Sequence, residues 1–162
     1  MSRYVCVANS IYLTARYVAL QLDMHSASAR IYNKGETTMI KKISTDKAPA
    51  AIGPYCQAMA VNGMLFTSGQ LGLDPTTGDF AGDTVTAQAE QALKNLGAIL
   101  KEAGTDYDKI VKTTCFLADM GDFAAFNEVY AKYITNTPAR SCVAVKTLPK
   151  NGLVEVEAIA EI

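Results

Sequence analysis

Histidine is nearly missing from this sequence: the only one is His25. Chemistries that need an imidazole in the main body, such as Ser-His-Asp and Cys-His catalysis or His-based metal ligation, are therefore out of reach there. Tryptophan is absent. The four cysteines, Cys6, Cys56, Cys115 and Cys142, never approach a C-x-x-C pair. That spacing excludes a clustered zinc site and gives no disulfide framework of the kind small secreted chains use. They read as reduced thiols behaving as small hydrophobes, which points to a reducing compartment. Charge of one sign is also lacking, with a formal net charge of -1 and no Lys/Arg run longer than two residues. With a pI of about 5.8, the basic footprint of a nucleic-acid binder is not evident. No apolar run reaches the roughly 20 residues of a membrane span, since Arg16 interrupts the longest candidate.

The 162 residues are 49% hydrophobic and 19% charged, which suits one folded domain. Residues 1–38 differ from the rest. Residues 1–22 hold Arg3 and Arg16 and no acid. They do not form a tidy signal peptide. The segment reads as an N-terminal extension: a misassigned start, a lineage-specific addition or a targeting segment. Met39, followed by Ile-Lys-Lys, reads as a natural start. The expected location is cytoplasmic, or organellar if residues 1–38 are a targeting peptide.

From Met39 onward the pattern becomes regular. Residues 39–44 alternate weakly as a strand. Residues 57–61 and 64–68 flank Asn62-Gly63, the strongest short hairpin signal. Apolar positions between Thr84 and Ala103 recur at helical spacing, with Asp83 or Thr84 as cap and Gly104 as stop. Residues 110–117 read as a buried strand. Asp122 is expected to cap a second helix carrying Phe123, Phe126, Tyr130, Tyr133 and Ile134, ended by Asn136-Thr137-Pro138. Strands over 139–145 and 153–162 follow, joined by a turn at Pro149 and Gly152. The order β, β, β, α, β, α, β, β predicts an α+β domain over 39–162, with two helices on one face of a mixed sheet.

Candidate chemistry is sparse. In an alternating strand Arg140, Cys142 and Ala144 share one face. A partly desolvated guanidinium there would bind a planar carboxylate through two parallel hydrogen bonds, whereas a rim arginine would only reach for solvent. Glu155, Glu157, Ile159 and Glu161 share one face of the last strand. A glutamate beside a cleft could take a proton from water, although an acidic outer face is the plainer reading. Tyr55 follows Gly53-Pro54, where a rigid turn can present its hydroxyl. Ser68-Gly69 ends the hairpin, where glycine permits close approach, but it does not fit a G-x-S-x-G elbow.

Several motifs occur together: Ala-Pro-Ala-Ala-Ile-Gly-Pro-Tyr at 48–55, Thr-Ser-Gly-Gln at 67–70, Val-Lys-Thr-Thr at 111–114, Phe-Ala-Ala-Phe-Asn at 123–127, Pro-Ala-Arg-Ser-Cys-Val at 138–143 and Glu-Val-Glu-Ala-Ile-Ala at 155–160. In this order residues 39–162 resemble the RidA (YjgF) family end to end. The resemblance implies a chorismate-mutase-like fold, a homotrimer with sites between subunits, and no cofactor or metal. It implies hydrolysis of 2-imino acids and their enamine tautomers to 2-keto acids and ammonia. By motif, Arg140 matches the carboxylate-binding arginine and Glu155 the acid associated with water. Tyr55, Ser68, Asn127 and Cys142 match pocket residues, with Gly69 beside them. Ribonuclease or translation-inhibitor activity, and a non-catalytic ligand-binding or chaperone-like trimer, are the competing readings. The charge and the missing histidine count against RNA.

Overall fold

In the computed structural model, which describes residues 39–162, the first turn is set by Asn62 and Gly63. Their φ values of 51° and 73° give the type I′ twist that matches right-handed strands. The turn joins β2 (Ala58–Val61) to β3 (Met64–Thr67), with Val61 opposite Met64. The short β1 (Lys41–Ile43) adds to the free side of β2. The 1–38 extension, with His25 and Cys6, lies outside the described residues.

After β3 the chain takes a step that the periodicity does not foretell. A two-residue strand, β4 (Gln70–Leu71), continues the line of β3 along β7 (Val154–Glu161). Phe66 pairs with Ile159 and Gln70 with Val156, so Thr67, Ser68 and Gly69 stand opposite only Ala158 and Glu157. The extra residue is a bulge, the device by which a sheet re-aims side chains beside a site. Thr67 Oγ1 fills the broken ladder by accepting from the Ala158 amide at 2.9 Å.

Helix α1 (Val85–Glu102) starts where Thr84, in extended conformation, accepts the Ala87 amide at 3.2 Å. It ends at Gly104, whose φ of 83° is cheap only for glycine. Its stripe of Val85, Ala89, Leu93, Leu96 and Leu100 is buried against the sheet. β5 (Ile110–Leu117), α2 (Phe123–Tyr133) and β6 (Ala139–Ala144) follow. Asp122 does not cap α2 with its side chain. The preceding 3-10 turn, opened by Asp119 accepting the Gly121 amide, feeds the chain directly into the helix.

The sheet order is β1-β2-β3-β7-β5-β6. Among the described residues only β5 and β6 run parallel, and the other pairs are antiparallel. Both helices contribute to one core with the inward face of the sheet, through Leu93, Leu96, Phe126 and Val129 against Cys115, Leu117, Val156 and Ala158. The α+β layer with two helices on a mixed sheet is thus the fold. No helix among the described residues is long and apolar enough to cross a membrane.

A buried polar side chain ties β4 and the residues after it to α1. Asn95, fully buried on α1, donates to the carbonyls of Leu71 and Leu73 at 3.0 and 2.8 Å and accepts from Gln91. Asn95→Leu keeps the branching at Cγ but adds bulk and strands both carbonyls, so it should cost about 3 kcal/mol and lower Tm by roughly 10 °C. Thermal unfolding measures this; an unchanged Tm would mean that water or relaxation replaces the tether.

Candidate active site

Arg140 occupies the second position of β6, an edge strand. It pairs with Thr113 on β5, and Cys142 pairs with Cys115. Thr113 and Cys115 are fully buried, so Arg140 and Cys142 project on the helix side. There α2 meets the guanidinium. Arg140 Nη1 donates to Asn127 Oδ1 at 2.8 Å, and Cζ lies 4.8 Å from the ring centroid of Tyr130 and 5.7 Å from that of Phe123. No carboxylate pairs with Arg140 among the described residues. The cavity beside it, about 330 Å³, is lined by Asn127, Tyr130, Ala131, Ile134, Pro138 and Arg140. The guanidinium is exposed rather than partly desolvated, because an edge strand has no neighbour to cover its outer rim. Burial pushes the Cys142 thiol up, with Arg140 pulling the other way. The Cys115 thiol behind it is pushed up to about 12, chiefly by burial, so neither thiol is poised as a nucleophile.

Glu155 belongs to a second cluster. It pairs with Phe116 and Leu71, and its carboxyl lies directly on the Cα of Gly69. A Cβ at position 69 would overlap Glu155 Oε1. The close approach that glycine permits here is thus made by a side chain of the same protein. Burial, with the like charge of Glu157 second, raises the Glu155 carboxyl above its usual value. Next to it Ser68 donates from Oγ to the Cys56 carbonyl at 2.7 Å, so its hydroxyl is anchored rather than free. Tyr55 follows the turn at Gly53, whose φ is 137°. It is exposed, and its hydroxyl accepts the Ile52 amide at 3.3 Å. A cavity of about 260 Å³ connects Tyr55 to Gly69, with Ile52, Gln57, Leu71 and Lys150 on its walls.

The two clusters stand on opposite faces of the sheet. Arg140 shares the core side with Thr113 and Ala158, while Glu155 shares the open side with Phe116, and side chains alternate along each strand. One chain therefore brings together Arg140, Asn127 and Cys142, and separately Glu155, Gly69, Ser68 and Tyr55. It does not bring Arg140 to Glu155. The aromatic support from Phe123 and Tyr130 was not anticipated as part of a site. Its signal was present, since 123, 127 and 130 recur at helical spacing with Asn127 between two rings, but the rings read equally as core. Among the described residues, no three His, Cys, Asp or Glu side chains gather as metal ligands would.

Comparison with known proteins bears on the family and the fold. The sequence profile of the family described as Endoribonuclease L-PSP matches residues 45–162. The 2-iminobutanoate/2-iminopropanoate deaminase of Mus musculus is 54% identical over 121 residues, covering 74% of this chain and 90% of that protein. The chloroplastic Reactive Intermediate Deaminase A of Arabidopsis thaliana is 54% identical over 119 residues, 73% of this chain and 64% of that one. Among solved structures, E. coli TdcF with bound serine superposes with a TM-score of 0.71 at 44% identity, covering 75% of this chain and 98% of TdcF. The matched region, the shared fold and the retained motifs place this chain in the Endoribonuclease L-PSP family, the RidA (YjgF) family its sequence resembles.

Proposed function

We propose that this protein hydrolyses 2-imino acids and their enamine tautomers, such as 2-iminopropanoate and 2-iminobutanoate, to 2-keto acids and ammonia. The observation that carries the reading is the Arg140 guanidinium, held by Asn127 on one nitrogen and free of any carboxylate partner among the described residues. Such an arginine fits a small planar carboxylate. Relatives at 54% and 50% identity named for deamination of imino acids support the substrate class, and a structural relative holds serine, a 2-amino acid.

The chemistry asks little of the protein. A protonated imine carbon is already electrophilic. Glu155 as carboxylate takes a proton from water while the water oxygen bonds to C2, giving a carbinolamine. The same acid returns that proton to the amino nitrogen and then takes the hydroxyl proton as the C–N bond breaks, so the carbonyl forms, ammonia leaves, and Glu155 passes the last proton to water. Orientation alone can supply several kcal/mol of barrier reduction, so the step calls on neither a cofactor nor a metal. The three free thiols among the described residues favour a reducing compartment such as the cytoplasm.

Because Arg140 and Glu155 lie on opposite faces, the reading requires a second copy to complete the site. The open face of the sheet supports this. It exposes Phe66 and Val143 beside the half-buried Phe116, Ile159, Glu155 and Glu157, an apolar surface that a further protomer would cover. A cyclic homotrimer with three such junctions is the assembly proposed.

Mixing inactive variants tests function and assembly together. Arg140→Ala and Glu155→Gln proteins are each expected to be nearly inert in a coupled assay that generates the imine in situ. Co-refolded at equal amounts, they should recover about a quarter of the wild-type rate, because random subunits then form intact junctions in that proportion. No recovery in verified mixed oligomers would mean that each site draws on one chain. RNA cleavage lost with Arg140→Ala, without ammonia release, would replace the reading by the ribonuclease one.

A further inference from the structure

Arg140 is exposed and long, and an unrestrained side chain of that kind gives up much of its rotamer freedom when a ligand fixes it. In this chain the restraint is already present, and it comes from a single helix. Phe123, Asn127 and Tyr130 fall at i, i+4 and i+7 on α2, the spacing that places side chains in a row on one face. All three meet the same guanidinium: two through ring faces and one through an amide oxygen.

The closer ring is itself anchored. The Tyr130 hydroxyl and Thr113 Oγ1 share a hydrogen bond of 2.8 Å, and Thr113 is the residue paired with Arg140 across β5 and β6. Sheet and helix thus close a loop: Thr113 beside Arg140, Tyr130 bonded to Thr113, and the Tyr130 ring under Arg140. A tyrosine serving only the core would need its apolar bulk and a partner for its hydroxyl. Tyr130 has both, with Phe126 tilted against it at 5.7 Å between centroids, and it still turns one face to the cation.

We propose that Tyr130, assisted by Phe123, is a positioning residue that presets Arg140, so that Asn127 occupies Nη1 and the remaining edge of the guanidinium points to the cavity ready for a carboxylate. The inference rests on the deaminase reading for the identity of that carboxylate. Its content is that the aromatic face, and not the tyrosine hydroxyl, sets how tightly the acid is held.

The test is steady-state kinetics with 2-iminopropanoate on the full chain, comparing Tyr130→Leu, Tyr130→Phe and Phe123→Leu. Tyr130→Leu should raise KM about fivefold with kcat within about twofold. At roughly 1.4 kcal/mol per tenfold, that loss is the size of a cation–π contact to an exposed cation. Tyr130→Phe keeps the ring and should restore KM to near wild type, although it leaves Thr113 without its partner and lowers Tm. A merely structural tyrosine would give the reverse pattern, in which both variants lose kcat and stability together with no shift in KM. That pattern overturns the proposal. Should Tyr130→Leu fail to fold, the half-buried Phe123 serves: Phe123→Leu is expected to raise KM about threefold, and an unchanged KM overturns the proposal equally. In the Arg140→Ala background, Tyr130→Leu should add no further loss in kcat/KM, whereas independent additive losses count against coupling. Failure of the underlying reading looks different. There Arg140→Ala itself would keep the wild-type rate, while a crippled Arg140→Ala beside an unchanged KM for Tyr130→Leu removes only the presetting role.

Discussion

Arg140→Ala should lower kcat/KM for 2-iminopropanoate by about a hundredfold or more. The size follows from what is lost. A charge-assisted hydrogen bond contributes about 1.5–3 kcal/mol, and the edge of Arg140 left open by Asn127 offers the two N–H groups of a fork. Losing the pair exceeds two factors of ten at about 1.4 kcal/mol each. The fold should survive, because Arg140 is exposed and its aromatic neighbours are held by the core. Arg140→Lys should be nearly as poor. An ammonium restores the charge but not the planar two-point contact, and it cannot both reach Asn127 and lie flat on the Tyr130 ring. The coupled imine assay measures both variants against wild type, with circular dichroism to verify folding. A lysine variant within threefold of wild type would mean that charge alone suffices, and an alanine variant at the wild-type rate would remove Arg140 from the reaction.

What the sequence made legible follows the strength of local signals. The Asn-Gly turn, the α1 stripe and its Gly104 stop were readable because each is fixed by neighbours within a few residues. Alternation also sorted Arg140, Cys142 and Ala144 from Ser141 and Val143, and Glu155 from Val154 and Val156. Alternation is blind, however, to which side of one strand matches which side of another. Only register decides that, and register placed Thr113 beside Arg140 and Phe116 beside Glu155, separating two residues expected to act together. β4 escaped notice for a similar reason. Gln70-Leu71 has no periodicity of its own and becomes a strand only because the bulge leaves part of β7 unpaired. Asp122 looked like a cap by residue type, yet the turn at Asp119 had already set the helix entry. The same limit hid Gly69. Its conformational freedom was visible in the sequence, but its neighbour, the Glu155 carboxyl, lies far along the chain.

That contact makes Glu155 the second large effect. Glu155→Gln should lower kcat roughly 10²- to 10⁴-fold, the range for loss of a positioned general base, with KM little changed since Arg140 still binds the acid. The pH dependence identifies the group. Burial, aided by Glu157, holds the Glu155 carboxyl above its ordinary value, so wild-type kcat should climb with pH along a limb displaced above the usual carboxylate range, and the glutamine variant should lack that limb. Stability carries the opposite sign. A carboxyl that holds its proton more tightly folded than unfolded destabilises the fold as pH rises from its unfolded pKa through its folded one. Glu155→Gln should therefore melt above wild type at neutral pH and converge with it in acid. Gly69→Ala separates position from charge. Position 69 has no positive φ to strain, so the added methyl acts by pushing the flexible carboxyl aside. It should cut kcat at least tenfold and move the limb down toward the ordinary range as Glu155 gains solvent. If Gly69→Ala instead unfolds the protein while Glu155→Gln keeps wild-type turnover, the acid and its glycine seat serve packing, and the attacking water must be handled elsewhere.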